Sequence, residues 1–255
     1  MSLGFYRAFE DRFRGNRELI KSRLDVYRGF LEPLLQVYPE AKALDLGCGR
    51  GEWLELLTEI GFAAEGVDLD EGMLDACREL GFNVAKEDAL EYMSRLPDES
   101  QSVVSAFHLV EHIPFEALQS FVSEALRVLK PGGLLIMETP NPENIKVATE
   151  NFYLDPTHIK PIPSGLLSFL PEFYGFEKGK ILRLQESAEV RQGNDVSLLN
   201  VLNGVSPDYA VIAQKAAKPE LLELSDHLFN AEYGVTLEQL VMRYSQQADD
   251  RAQQA

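Results

Sequence analysis

The stretch Ala43-Leu44-Asp45-Leu46-Gly47-Cys48-Gly49-Arg50-Gly51-Glu52-Trp53 constrains the fold of this chain more than any other. An apolar run of strand type leads into glycines at alternate positions and then into a helical pattern. Glycines at such a junction permit a sharp turn with backbone angles that other residues resist, and they let a ligand press against bare main chain. The rhythm continues downstream. Residues 43–46 read as a strand, 52–60 as a helix closed by Gly61, 64–69 as a strand, 72–80 as a helix closed by Gly81, and 83–85 as a short strand. A strand at 103–107, a helix at 115–129 ended by Lys130-Pro131-Gly132-Gly133, and a strand at 134–138 follow. Strands alternating with amphipathic helices mark βαβ units around a parallel sheet, so an α/β fold is expected.

The flanks read differently. Leu19, Ile20, Leu24, Tyr27, Phe30 and Leu31 recur at spacings of three and four, with Asn16 placed to cap a helix and Pro33 to end or kink it. Residues 1–38 are therefore taken as an N-terminal helical cap, and 39–217 as the main domain. The segment 139–171 is rich in proline and lacks clean periodicity, an insertion of functional length. Strands at 176–184 and 209–214 finish the sheet. Residues 218–255 form a helical tail in which Leu237, Leu240, Val241, Tyr244 and Ala248 make a narrow apolar stripe. Such a stripe folds back on its own domain or starts a coiled coil that pairs with a partner or a second copy.

Composition removes several classes. Lys and Arg number 24 against 41 Asp and Glu, a net charge of −17 that repels phosphate backbones, so nucleic acid is not an expected partner. No apolar run reaches the roughly 20 residues a membrane-spanning helix needs. Cys48 and Cys77 have no metal-type spacing and make no disulfide scaffold, which fits a reducing, cytoplasmic setting.

The loop can be narrowed by what it lacks. The dinucleotide pattern G-x-G-x-x-G requires glycine where this chain has Glu52, and a carboxylate beside the helix start repels a pyrophosphate. No Lys-Ser/Thr follows, so a phosphate-cradling loop fails as well. A nucleoside without phosphates remains. About 20 residues on, the second strand ends Gly66-Val67-Asp68-Leu69-Asp70, and a carboxylate there can accept hydrogen bonds from both ribose hydroxyls. Asp68 is the candidate, with Asp70 in the next turn or capping the next helix. After the third strand, Lys86-Glu87-Asp88-Ala89 places a polar side chain for an adenine amino group, while Leu69 and Ala89 can sandwich the ring.

The runs ALDLGCGRGEW, GVDLD, EDA, SAFHLVEHIP and LKPGGLLIMETPNPEN, in that order, resemble the class I S-adenosylmethionine-dependent methyltransferases over about Leu31 to Ala216. The resemblance implies a Rossmann-like, doubly wound sheet of seven strands with the last antiparallel, and an enzyme using S-adenosylmethionine. It implies that Gly47, Cys48 and Gly49 line the methionine part, Asp68 holds the ribose and Asp88 the adenine. Asp45 would brace the loop and help receive the amino group, and His108 would lie against the cofactor. The opening FYRAFEDRFRG and the later NFYLDPTHIKPIPSGLLSFLPEFYGF are similar to methyltransferases found with O-antigen and polysaccharide glycosyltransferases. That likeness implies a glycan acceptor, a glycosyltransferase partner, and Arg14 or a neighbour at the methionine carboxylate.

Methyl transfer is an in-line displacement at a sulfonium carbon, and a hydroxyl nucleophile needs somewhere to leave its proton. Of the four histidines, His108, His112 and His158 fall in segments expected to face the methyl group; His227 is read as structural. In one reading His158 is the general base, with Glu111 and His112 beside it. In the other, His108-x-x-Glu111-His112 and His158 hold a divalent metal, since residues three and four apart share a helix face. This pattern is similar to the Glu-x-x-Glu-His plus distant His of metal-dependent small-RNA 2′-O-methyltransferases and some quinone O-methyltransferases. His108 in place of the first Glu makes the site more zinc-like. Tyr153, Asp155 and Tyr174 are expected on the acceptor side, and Asn141 in the ligand crevice. The expected activity is O-methylation of a sugar or glycan hydroxyl; the alternatives are a quinone-type small-molecule methyltransferase and a cofactor-binding scaffold without turnover.

Overall fold

The computed structural model describes residues 15–193 and 195–254. Asn16 accepts from the Leu19 amide and caps α1 (Arg17–Leu24). A 3-10 turn at Asp25–Tyr27 separates it from α2 (Arg28–Val37), which carries Pro33 within it. The break expected at Pro33 therefore falls at 25–27, where the turn drives Tyr27 into the interior with no exposure.

The alternating pattern folds as β1 (Lys42–Leu46), α3 (Glu52–Ile60), β2 (Ala63–Asp68), α4 (Glu71–Glu79) and β3 (Asn83–Lys86). Then come α5 (Ala89–Ser94), β4 (Gln101–Phe107), α6 (Phe115–Val128) and β5 (Leu129–Pro140). The proline-rich insertion holds α7 (Ile145–Thr149) and α8 (Ser164–Tyr174). Next are β6 (Lys178–Leu184), α9 (Ala188–Gln192), α10 (Leu198–Asn203), β7 (Asp208–Gln214), α11 (Pro219–Leu222), α12 (Asp226–Asn230) and α13 (Leu237–Gln254). Helix α5 is too short to announce itself by periodicity and rests on its cap, Asp88, which accepts from the Leu90 and Glu91 amides.

The strands form one seven-stranded sheet in the order β3-β2-β1-β4-β5-β7-β6. Pairings from β3 through β5 are parallel, and β7 runs antiparallel to both β5 and β6. This is the doubly wound arrangement expected from the sequence. β6 and β7 are joined through α9 and α10, so they pair as a hairpin does without a tight turn between them.

Alternation along the central strands divides the interior in two. Leu44, Leu46, Val104, Ala106, Leu135 and Met137 pack on one face with Phe121 and Val122 of α6 and Leu167 of α8. Ala43, Val103, Leu134 and Ile136 pack on the other with Tyr27, Phe30, Leu31 and Leu34 of the N-terminal segment and Trp53 and Leu57 of α3. The residues expected to form an N-terminal cap are thus part of the second core. The tail also returns: Leu240 of α13 is fully buried with Val190, Val196, Val201 and Val205, while Val241 and Tyr244 stay 43% and 37% exposed.

Candidate active site

At the end of β1 the chain turns through Gly47, Gly49 and Gly51, with φ of 72°, 50° and 77°. The amides of Gly47 and Cys48 donate to the Val67 carbonyl at 2.8 and 3.1 Å, tying the loop to β2. A Cβ on Gly47 would meet the Leu109 side chain at 3.3 Å, so the close approach and the left-handed angle both require glycine. Below the loop, Trp53 Nε1 donates to Ser105 Oγ and Ser105 Oγ donates to Asp45 Oδ1, each at 2.8 Å, which fixes the buried Asp45 carboxylate. Glu52, also buried, pairs with Arg50 at 2.9 Å. Cys48 and Cys77 are free thiols under the loop; contact with Cys77 and burial raise the pKa of Cys48, so it stays a thiol.

Two cavities open along the carboxyl ends of the strands and share Gly47, Phe107 and His108. The first, about 200 Å³, is lined by Gly49, Asp68, Leu69, Asp88, Ala89 and His112 among others. Asp68 Oδ2 accepts from the Gly49 amide at 2.9 Å and Oδ1 from the Asp70 amide at 2.8 Å, leaving outward lone pairs on both oxygens. Leu69 is 67% exposed, an apolar surface facing an open slot. Sequence and structure agree that these residues meet; Asp88 is also spent capping α5.

The second cavity, about 190 Å³, runs from Asp45, Gly47, Cys48 and Glu52 toward Arg23, His108, Glu138, Gln185 and Asp208. Four of these last five were not singled out in the sequence. Glu138, near the end of β5, is buried; Tyr27 OH donates to its Oε2 and Gln185 Nε2 to its Oε1 at 3.2 Å. His108 leaves β4 with φ of 53°, which sets its ring between Glu138 Oε1, 3.6 Å from Nε2, and Glu111 Oε1, 3.3 Å from Nδ1. Burial alone would lower its pKa, but the two carboxylates overcome this and hold it well above the ordinary value. The two carboxylates thus favour the protonated His108 ring, which is poorly suited to accept a further proton. Burial, with Glu138 nearby, pushes Asp208 up to about 6 against the opposing pull of His108 and Arg23.

The four expected metal ligands do not converge on one point. Glu111, His112 and His158 bring one ligand atom each within 4.8 Å of one another, whereas His108 groups with Glu138 and Asp208. The His108 ring lies between the two groups, its Nδ1 3.3 Å from Glu111 Oε1 and its Nε2 turned toward Glu138 of β5. Glu111 is buried; Thr139 Oγ1 donates to its Oε2 at 2.9 Å, and Oε1 takes no hydrogen bond. Burial would raise the Glu111 pKa, but His108 and His112 lower it overall. His158 Nδ1 donates to the Phe152 carbonyl at 2.6 Å, so its Nε2 faces Glu111 Oε1 at 3.9 Å. Thr157 Oγ1 spends its only hydrogen on Asp155 Oδ1 at 2.6 Å, so His112 Nδ1 is the donor in its 2.9 Å contact with that hydroxyl. Burial lowers the His112 pKa, which leaves a neutral ring with a bare Nε2.

His158 and Glu111 lie outside the lining of both cavities, as do Tyr153, Asp155 and Tyr174. Asn141 is not in the crevice: it is buried and ties β5 to the segment before β7 through Ser206 and Pro207. Arg14 lies outside the described residues. Arg23 of α1 lines the second cavity instead, with no hydrogen bond or ion pair from its guanidinium among the described residues.

A family profile described as a methyltransferase domain matches residues 44–137. A crystal structure of a SAM dependent methyltransferase from Archaeoglobus fulgidus superposes with a TM-score of 0.72 and 38% identity, covering 83% of this chain and 100% of that one. A probable S-adenosylmethionine-dependent methyltransferase of Mycolicibacterium smegmatis is 33% identical over 134 residues, 52% of this chain and 51% of that protein. A ubiquinone biosynthesis O-methyltransferase of Methylococcus capsulatus is 36% identical over 105 residues, 39% and 44% of the two chains. The chain thus spans about half the length of the curated relatives it matches.

Proposed function

The chain belongs to the S-adenosylmethionine-dependent methyltransferases, and from that premise we propose that it methylates a hydroxyl of a small polyhydroxylated acceptor of sugar type. S-adenosylmethionine supplies an electrophilic methyl group on a sulfonium sulfur. Asp68 receives the ribose hydroxyls, Leu69 and Ala89 flank the adenine, and Asp88 lies beside its amino group. Gly47 to Gly49 carry the methionine portion, with Asp45 near the ammonium and Arg23 facing the carboxylate. The acceptor enters the far end of the second cavity.

The observation that carries this reading is the lining of that end. Beyond Arg23 and His108, that end presents Glu138, Gln185 and Asp208, whose remaining hydrogen-bonding capacity suits an acceptor carrying more than one hydroxyl. Calorimetry should show S-adenosylhomocysteine binding, and S-adenosylhomocysteine should be released during incubation with methyl glycosides. Release with catechols alone favours the quinone-type reading, to which the ubiquinone biosynthesis O-methyltransferase names of several relatives point. Binding without release from either class overturns O-methylation of such acceptors.

A second reading places a divalent ion at the Glu111–His112–His158 group, with His112 on the wall of the first cavity and the acceptor hydroxyl approaching from that side. Glu111, His112 and His158 bring one ligand atom each within 4.8 Å of one another, and two imidazoles with a carboxylate are a donor set that suits a zinc-like divalent ion. Such an ion lowers the pKa of a bound hydroxyl. Elemental analysis of protein purified without chelator should find about one equivalent; a metal-free, chelator-indifferent enzyme excludes it.

A further inference from the structure

We propose that Asp208 is the catalytic base of the transfer, its carboxylate taking the proton of the acceptor hydroxyl; the assignment rests on the O-methylation reading above. Asp208 is the first residue of β7, paired with Pro140 on one side and Leu184 on the other. Because β7 runs against β5, its start lies at the edge where the parallel strands end, and its carboxylate lines the second cavity. An oxygen of Asp208 is within 4.8 Å of ligand atoms of both His108 and Glu138. Among the described residues no side chain donates a hydrogen bond to it.

The neighbouring groups are occupied in ways that leave this one free. Glu138 takes hydrogen bonds from Tyr27 and Gln185. His108 already holds its protons between two carboxylates, and Glu111 lies outside the cavity lining. His158, expected from the sequence as the base, also lies outside both linings, and a base must come within hydrogen-bond reach of the proton it abstracts.

The charged groups facing Asp208 are Arg23 on α1, His108 and Glu111 after β4, and Glu138 on β5. Burial and the two glutamates favour its protonated form, Arg23 and His108 its ionised form, and the balance sits at about 6. A carboxylate poised there is ionised at neutral pH yet accepts a proton far better than an ordinary one. In the step, an acceptor oxygen lone pair forms the new O–CH₃ bond as the S–CH₃ bond breaks. The bonding pair stays on sulfur, which becomes a thioether, and the hydroxyl proton passes to Asp208 and then to solvent.

The test compares wild type, Asp208→Asn and Asp208→Glu with methyl glycosides and 3,4-dihydroxybenzoate as acceptors. Wild-type kcat/KM should fall below about pH 6. Asp208→Asn should lose about 100- to 10,000-fold in kcat, abolish that acid limb, and bind S-adenosylhomocysteine within about threefold of wild type. Asp208→Glu should restore part of the rate together with the limb. An Asn variant within a few-fold of wild-type kcat, or one that keeps the limb, overturns the assignment.

Should no probe turn over, the O-methylation reading is what fails, and the base assignment is decided by ¹³C-carboxyl NMR on the S-adenosylhomocysteine complex. An Asp208 midpoint near 6, with Tm unchanged or higher in Asp208→Asn, supports an unpartnered, poised carboxylate. A midpoint in the ordinary carboxylate range, or a Tm loss in that variant, marks a structural residue and overturns the proposal.

Discussion

Replacing Asp68 with alanine tests the proposed cofactor contact on a side chain that also holds the glycine turn. Its oxygens accept the Gly49 and Asp70 amides at 2.9 and 2.8 Å, and these bonds hold Gly49 at φ 50° beside the cavity. The same oxygens face the slot where two ribose hydroxyls would donate. Hydrogen bonds to a charged group contribute about 1.5–3 kcal/mol each. Loss of two therefore costs cofactor binding about 3–6 kcal/mol before relaxation. The freed amides return to solvent, so the lower half of that range, about 3–4.5 kcal/mol, is the expectation, about 150- to 1,500-fold in Kd at 1.4 kcal/mol per decade. Asp68→Asn keeps one acceptor oxygen and should lose about 10- to 30-fold. Calorimetric titration with S-adenosylhomocysteine measures both, with circular dichroism confirming that each variant is folded. A folded Asp68→Ala variant binding within threefold of wild type would refute the reasoning, because no other described carboxylate takes both amides.

Three further outcomes follow from the packing and the charges. Tyr27→Phe removes a buried hydroxyl from Glu138; a loss of ~2 kcal/mol, over an unfolding entropy of ~2.1 cal/mol/K per residue for 255 residues, lowers Tm by about 4 °C, and an unchanged calorimetric Tm contradicts the pairing. Gly51→Ala places a Cβ 2.9 Å from Cys77 Sγ at a φ of 77°, so urea unfolding should show ~1–3 kcal/mol of destabilisation. His108 has its folded pKa raised by Glu111 and Glu138 against burial. Its pairing therefore stabilises the fold fully below the unfolded value of about 6.5 and ceases to do so as pH rises through the elevated folded value; ¹⁵N NMR should find both ring nitrogens protonated at neutral pH, and a ring titrating near 6.5 would show the pairing to be absent.

The grouping of residues along the first cavity was legible because it is local. Gly47, Gly49, Asp68, Leu69, Asp88 and Ala89 lie in chain order on three successive β–α junctions of a parallel sheet, where strand ends and ligand crevice coincide. That along the second was not, because its residues reach the cavity by different rules. Asp208 stands at the beginning of a strand, and only the antiparallel direction of β7 brings that end to the crevice. Arg23 arrives on a helix whose break at Asp25–Tyr27 the periodicity did not reveal. Glu138 did leave a signal: a carboxylate closing the apolar run Leu134-Leu135-Ile136-Met137 is costly to bury without partners. The histidines were found by residue type, but their division into two groups depends on Glu138 and Asp208, which the chain brings to His108 from distant strands and no spacing argument contains.

The reversed direction of β7 also orders events during synthesis. Its pairing with β5 joins positions as far apart as Leu134 and Gln214, and it slots between β5 and a β6 made earlier. A ribosome-tethered chain halted before residue 208 would already possess the turn at 47–51 and its partner on β2, yet would lack one wall of the second chamber. The last strand to be made is thus the piece that completes the wall of the second cavity, through Asp208 at its start.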